Sequence, residues 1–387
     1  MSEPTLPTAP MPRPLAGLRV LELARILAGP WTGQILADLG AEVIKIESPT
    51  GDDTRTWGPP FVEETGSASY FHGTNRGKKS VVLDLATPEG QAHARALAAR
   101  SDVMIENFKL GGLAKYGLDY ASLSAPDPRL IYCSITGFGQ TGPYAPRAGY
   151  DFIIQAMSGL MSVTGEKGGE PQKLGVAVAD LVTGLNAVIA IQAALAEREQ
   201  TGKGRHIDMA LMDACVSILS NQALAYLTSG TSPVSIGNAH PSIVPYQVFA
   251  VSDGHFILAV GNDGQFRKAC NVLGLADLPD DPAYATNPAR VANREALVPM
   301  LQTVLNRWTR DAVLAAFEKA GVPAGPINSI GDVFADPQVQ ARGMQIAHGS
   351  LPGVRMPILF DGQPMVADRP CPRLGEHTDE VLASLSV

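Results

Sequence analysis

The chain of 387 residues carries 30 basic and 38 acidic side chains, for a formal net charge of −8. That balance argues against general nucleic-acid binding, while a local basic pocket for a phosphorylated ligand stays open. An apolar fraction of 45% and a charged fraction of 18% describe an ordinary globular protein, and a chain this long is expected to form two domains.

No uninterrupted apolar run reaches the ~18 residues that span a bilayer, and no basic segment leads into an apolar one near residue 1, so the expected location is the cytoplasm. Cys133, Cys215, Cys270 and Cys371 are scattered without CxxC spacing. They imply neither a disulfide framework nor a zinc site, and no metal is expected.

Residues 1–14 are Pro-rich and aperiodic, the pattern of a disordered arm. A strand is then expected at 18–23, a helix at 31–39 and a strand at 42–46, which together make one βαβ unit. A second unit follows, with a strand at 80–85, a helix at 88–100 opened by Pro88, and a strand at 102–106. Residues 129–135 supply another buried strand. This alternation predicts an α/β fold with a doubly wound parallel sheet, whose ligands bind beyond the carboxyl ends of the strands.

The loops after those strands therefore matter most. One of them contains Gly137-x-Gly139-x-x-Gly142, formally a dinucleotide fingerprint. A phosphate-binding glycine turn must open a helix, whereas Pro143 and Pro146 follow here, so a nicotinamide or flavin site is not expected.

Residues 174–184 (LGVAVADLVTG) place one carboxylate, Asp180, inside an apolar run, and 181–199 reads as a helix rich in Ala, Leu and Ile. An ionised Asp there is either a cap on the first turn or a group kept for chemistry. Beyond it come a strand at 206–211, a helix to about 227, and the Ser-, Gly- and Pro-dense stretch 229–245, which marks a domain boundary. A strand at 256–260, an exposed loop at 261–264 and helices at 265–273, 294–308 and 311–320 complete a smaller domain. The expected division is 15–228, 229–327, and a C-terminal segment 328–387 returning to the large domain.

None of the seven histidines has triad or metal-ligand spacing. His240, in a loop, is a ligand contact or a packing residue. Arg55, beside Trp57, either binds a carboxylate bidentately or pairs locally with Asp52 or Asp53. Elimination leaves Asp180 as the candidate nucleophile or acid/base group.

At 27–30 (LAGP), 38–47 (DLGAEVIKIE), 75–80 (NRGKKS), 106–108 (ENF), 137–143 (GFGQTGP), 179–180 (AD), 202–204 (GKG) and 321–326 (GVPAGP), the chain resembles the family III CoA-transferases of the formyl-CoA transferase type. The likeness runs from about residue 15 to residue 377. Residues 52–60, 147–151, 237–240 and 242–247 are most similar to the branch acting on succinyl-CoA and glutarate or hydroxymethylglutarate.

The resemblance implies a Rossmann-like large domain, a smaller α/β domain, and two copies interlocked as a homodimer. It implies no permanently bound cofactor, with a coenzyme A thioester as substrate and a small carboxylic acid, most readily a dicarboxylic one, as acceptor. Asp180 would be the nucleophile, carrying the acyl group as an anhydride and CoA as a thioester. Ile26, Leu83, Asn107, Phe108, Lys115 and Phe138 would meet CoA. Arg55, Trp57, Arg147, Tyr150, His240 and Gly261 would meet the acid or its oxyanion. Ser48 and Thr136 depart from the family's Arg and Lys, which leaves adenine and phosphate contacts open.

The same fold hosts α-methylacyl-CoA racemases, which add a His between the residues matching Gly149 and Asp151. Here that residue is Tyr150, whose phenol is a poor base near neutrality. A catalytically silent CoA-binding protein is the other alternative, against which the retained Asp180 argues.

Overall fold

The computed structural model describes residues 13–386, so the expected arm lies outside the described residues as far as residue 12. Two compact units emerge. The first takes the described residues up to Leu160, then Leu174–Thr228, then those from Gln338 onward; the second takes Met161–Lys173 and Ser229–Pro337. The second unit thus gathers a short piece of chain from before Asp180 and extends past residue 327. Within it, Gly237 donates its N–H to Gly165 O at 3.0 Å and Lys167 pairs with Glu295 at 3.1 Å, which ties that piece to the later chain.

The first unit is built on six strands: β1 (Arg19–Glu22), β2 (Glu42–Glu47), β3 (Lys78–Val82), β4 (Val103–Glu106), β5 (Ile131–Thr136) and β6 (His206–Ala210). All pair in parallel, in the order β3-β2-β1-β4-β5-β6. Helices cover both faces, so the central strands carry apolar residues on each side, as Val20 and Leu21 or Met104 and Ile105 do.

Helix α1 (Ala28–Asp38) takes Gly29 and Pro30 into its first turn and so starts before residue 31. Helix α2 (Pro88–Ala98) opens on Thr87, whose side chain accepts the Gly90 N–H, with Pro88 at its first position. After α3 (Asp151–Met157), the long α4 (Val178–Thr201) crosses the sheet and stops at Gly202, in the left-handed conformation. By length and a mean hydropathy of 1.7, α4 is the one described helix long and apolar enough to cross a membrane, although Asp180, Thr183, Asn186 and Gln192 interrupt its apolar run. One of its apolar faces is occupied in this fold, where Ala179, Ala187, Ile191 and Ala194 pack with sheet residues Ile105, Ile131 and Cys133, while Leu185 and Ile189 on the other side stay exposed. The helix expected up to about residue 227 is broken: α5 (Leu211–Ile218) ends just before Ser220, which sits at φ 45°.

In the second unit, β7 (Tyr246–Val251), β8 (Gly254–Ala259) and β9 (Ala324–Pro326) form an antiparallel sheet in the order β9-β8-β7. Helices α6 (Asp263–Leu273), α7 (Arg294–Leu305) and α8 (Arg310–Ala320) bury Phe266, Leu297, Leu301 and Phe317 against Phe249 and Phe256. Arg290, fully buried, stays satisfied through Val244 O, Tyr284 O and Asp263 Oδ1 at 2.7–3.0 Å.

Candidate active site

With the strand order reversing between β1 and β4, the loops leaving those strands diverge and open a crevice at the carboxyl edge of the sheet. A cleft of about 430 Å³ lies there. Residues 25–28 after β1 form one wall, and residues 107–110 with Gly112, Lys115 and Tyr116 form another. The end of β5 and residues 147–150 make the third, with Asp180 and Leu211 at the base.

Asp180 is the third residue of α4, and Ala177, at the cap position, offers no side-chain oxygen. The free N–H groups of the first turn need an acceptor. Asp151 supplies it: its Oδ1 accepts the Ala179 N–H at 2.8 Å while its Oδ2 accepts from Gln155 Nε2 at 2.7 Å. Capping therefore falls to Asp151, which leaves Asp180 uncommitted. No described residue donates a hydrogen bond to its carboxylate, and burial, joined by the charge of Asp151, pushes its pKa up to about 7.

Tyr70 belongs to the same neighbourhood. Burial and then the charges of Asp180, Asp151 and Asp52 raise its phenol above the usual range. Trp57, itself 45% exposed, packs edge-on against its ring at 5.4 Å. Sequence reasoning misses Tyr70, because nothing in its own segment points at a carboxylate more than a hundred residues away.

The cleft is basic although the chain is acidic. Arg25, Lys109, Lys115 and Arg147 line it, and Asp180 is the one acid among its described lining residues. Arg147 lies 4.0 Å over the Tyr144 ring, Lys115 lies 4.7 Å over that of Tyr116, and Arg25 pairs with Asp53 at 2.9 Å. Such a surface suits a polyanionic ligand.

Seven expected residues meet in this cleft: Ile26, Asn107, Phe108, Lys115, Arg147, Tyr150 and Asp180. Others do not. Arg55 is buried, and four of its five N–H donors are engaged, by Glu47 Oε1 and Oε2, Ser67 Oγ and Pro372 O. It is a structural cation paired with Glu47, which corrects both the substrate role and the expected partners Asp52 and Asp53. Leu83 sits in the core beside Leu21 and Leu23 and not on the cleft wall. Phe138 packs against the core, its ring edge-on to Tyr144 at 5.5 Å.

His240 and Gly261 belong to the second unit. His240 Nδ1 accepts the Ser242 N–H at 3.1 Å and its ring faces Tyr246. Gly261 donates its N–H to Gln265 Oε1 at 2.7 Å, so that group is not free to serve an oxyanion.

The glycines of the 137–142 loop also find a reason. A Cβ at Gly137 would come within 2.5 Å of Gly149 Cα, and one at Gly149 within 2.6 Å of Gly137 Cα. Two backbones cross there, and the crossing brings residues 147–150 to the cleft.

Residues 15–378 match the profile of CoA-transferase family III. Over 382 residues the chain is 58% identical to the succinate–glutarate CoA-transferase of Agrobacterium fabrum, covering 96% of each. It is 44% identical over 376 residues to the succinyl-CoA:glutarate CoA-transferase of Homo sapiens, covering 96% of this chain and 85% of that one. Among solved structures, a CaiB/BaiF family protein from Brucella suis superposes with a TM-score of 0.89 at 60% identity, covering 96% of this chain and 99% of that one.

Proposed function

The chain belongs to CoA-transferase family III, and from that premise we propose that it moves CoA from succinyl-CoA to glutarate or a dicarboxylic acid of similar size, with Asp180 as the acyl carrier. The observation that carries this reading is the presence, in one cleft, of a carboxylate with no donor among the described residues and of four lining cations, only Arg25 of them paired with an outside acid, Asp53.

Asp180 as carboxylate attacks the succinyl thioester carbonyl and the CoA thiolate leaves, which gives a succinyl-aspartyl anhydride. The thiolate then attacks the aspartyl carbonyl, releasing succinate and leaving an aspartyl-CoA thioester. The acceptor carboxylate attacks that carbonyl and expels the thiolate again. Attack of the thiolate on the acceptor's carbonyl in this second anhydride forms the new acyl-CoA and restores Asp180. The anhydrides lie above the thioesters in energy, but the overall reaction exchanges one thioester for another of similar energy, so no external energy source is required.

Lys109 and Lys115 offer point charges to the phosphates of CoA, and Ile26 and Phe108 offer apolar surface to its pantetheine arm. Arg147 and Tyr150, across the cleft, are the residues we assign to the distal carboxylate in place of Arg55. A second copy of the chain covers the apolar face left open by Phe152 and Ile153 on α3, Leu185 and Ile189 on α4, and Leu224 and Leu227 beyond α5. The place of action we assign is the cytoplasm.

The test is an assay of acyl-CoA products with succinyl-CoA and a panel of mono- and dicarboxylic acids. Glutaryl-CoA is expected among the best products. Transfer confined to monocarboxylic acids would refute the dicarboxylate assignment, and α-deuterium exchange into a 2-methylacyl-CoA without any transfer would refute the transferase chemistry.

A further inference from the structure

Ile26, on the cleft wall, has φ +73°, a left-handed conformation that a β-branched side chain strongly resists. Its surroundings hold it there through three successive residues. Lys45 Nζ donates to Ala24 O at 2.7 Å; Asn107 accepts the Arg25 N–H at 2.9 Å and donates its amide N–H to Arg25 O at 2.7 Å; Asp52 Oδ1 accepts the Ile26 N–H at 3.3 Å. Lys45 and Asp52 are buried and ion-paired at 3.0 Å.

Asn107 has a particular place in this clamp. The regular hydrogen bonding between β1 and β4 ends where Leu23 donates to Ile105 O at 2.8 Å. Two residues on, the Asn107 side chain imitates a strand backbone, offering one acceptor and one donor to Arg25. It extends the ladder across the point where the strands part, and the chain then turns at Ile26. One amide hydrogen and one lone pair of the oxygen are thereby committed to Arg25, which fixes the orientation of the side chain.

We infer that Asn107 is a positioning residue: it holds Arg25 and Ile26 in the strained conformation that forms the CoA-binding wall, and it acts on the substrate only through them. This rests on the proposed function, because it takes the cleft ligand to be a CoA thioester. A side chain that acts by enforcing positive φ should lose its importance when the residue it enforces no longer resists.

The experiment is a double-mutant cycle on the full-length enzyme with Asn107→Ala and Ile26→Gly, read as KM for succinyl-CoA and as kcat. Ile26→Gly alone should raise KM about threefold through lost contact. Asn107→Ala should raise it about 20-fold in the native background with kcat changed less than about threefold, and by under about threefold once residue 26 is glycine. An Asn107→Ala effect of equal size in both backgrounds, or none in either, overturns the inference. If Asn107→Ala fails to fold, Asn107→Asp keeps the acceptor for the Arg25 N–H, loses the donor to its carbonyl, and is read in the same two backgrounds. Calorimetric binding of CoA to the native enzyme separates the two levels: failure there refutes the proposed function, while background-independent loss refutes only the role of Asn107.

Discussion

Asp151 and Asp180 are linked through one backbone amide: Asp151 Oδ1 accepts the Ala179 N–H at 2.8 Å, and its charge adds to burial in raising Asp180 to about 7. One carboxylate thus caps the first turn of α4 and at the same time adds to the rise that burial gives the proton affinity of the other. Asp151→Asn keeps an oxygen for Ala179 but removes the charge. The acid limb of kcat/KM against pH, expected near 7 in the native enzyme, should then move to lower pH; an unmoved limb would show that Asp151 does not tune Asp180.

The same shift has a consequence for stability. Asp180 keeps its proton to about pH 7 when folded but gives it up near the ordinary carboxylate pKa when unfolded. Its contribution is therefore complete below about pH 4, declines as pH rises through 7, and stays reduced above that. Asp180→Asn should raise stability at pH 8 by on the order of 2 kcal/mol after allowing for screening at the open face of the cleft, seen as a higher thermal midpoint, and leave the midpoint nearly unchanged at pH 4. Parallel melting curves at the two pH values make the comparison.

Arg55 and Arg147 should separate cleanly. Arg55→Ala leaves Glu47 buried without its partner, a loss of about 3–5 kcal/mol, and denaturant unfolding should show it whatever the acceptor acid. Arg147→Ala removes only an exposed stack on Tyr144. It should cost stability about 1 kcal/mol or less while raising KM for glutarate about tenfold and sparing a monocarboxylic acceptor. Equal effects of Arg147→Ala on both acceptor types would remove it from the distal carboxylate.

Gly137→Ala places a methyl group 2.5 Å from the Gly149 backbone, where no flexible side chain can yield. The two strands of the crossing must separate, displacing residues 147–150 from the cleft. Loss of transfer activity by at least about 100-fold, with a lowered thermal midpoint, is expected.

The parallel sheet is legible in the sequence because strands covered on both faces read as short apolar runs between helical stretches, as around Val20 and Ile105. The break at 229–245 is legible for the same kind of local reason, its density of Ser, Gly and Pro. Strand β7 is hidden because YQVFAV follows that break directly, although its partner is the next strand in the chain. Asp180 stands out as a lone carboxylate in an apolar run, yet the residue that caps its helix lies 28 positions before Ala179 and carries no local sign of doing so. Arg55 misleads for a related reason: the chain reverses at Gly51, φ +81°, and brings Glu47 closer to its guanidinium than the acids beside it. Residue types near a site can be read along the chain, whereas which of them are already spent on one another is a property of the folded packing.

The central claim is that Asp180 carries the acyl group, and covalent trapping tests it most directly. Enzyme mixed with succinyl-CoA, quenched with hydroxylamine and digested should yield a hydroxamate on the peptide containing Asp180, and Asp180→Asn should yield none. A modified residue elsewhere in the chain, or full transfer activity in Asp180→Asn, would contradict the account.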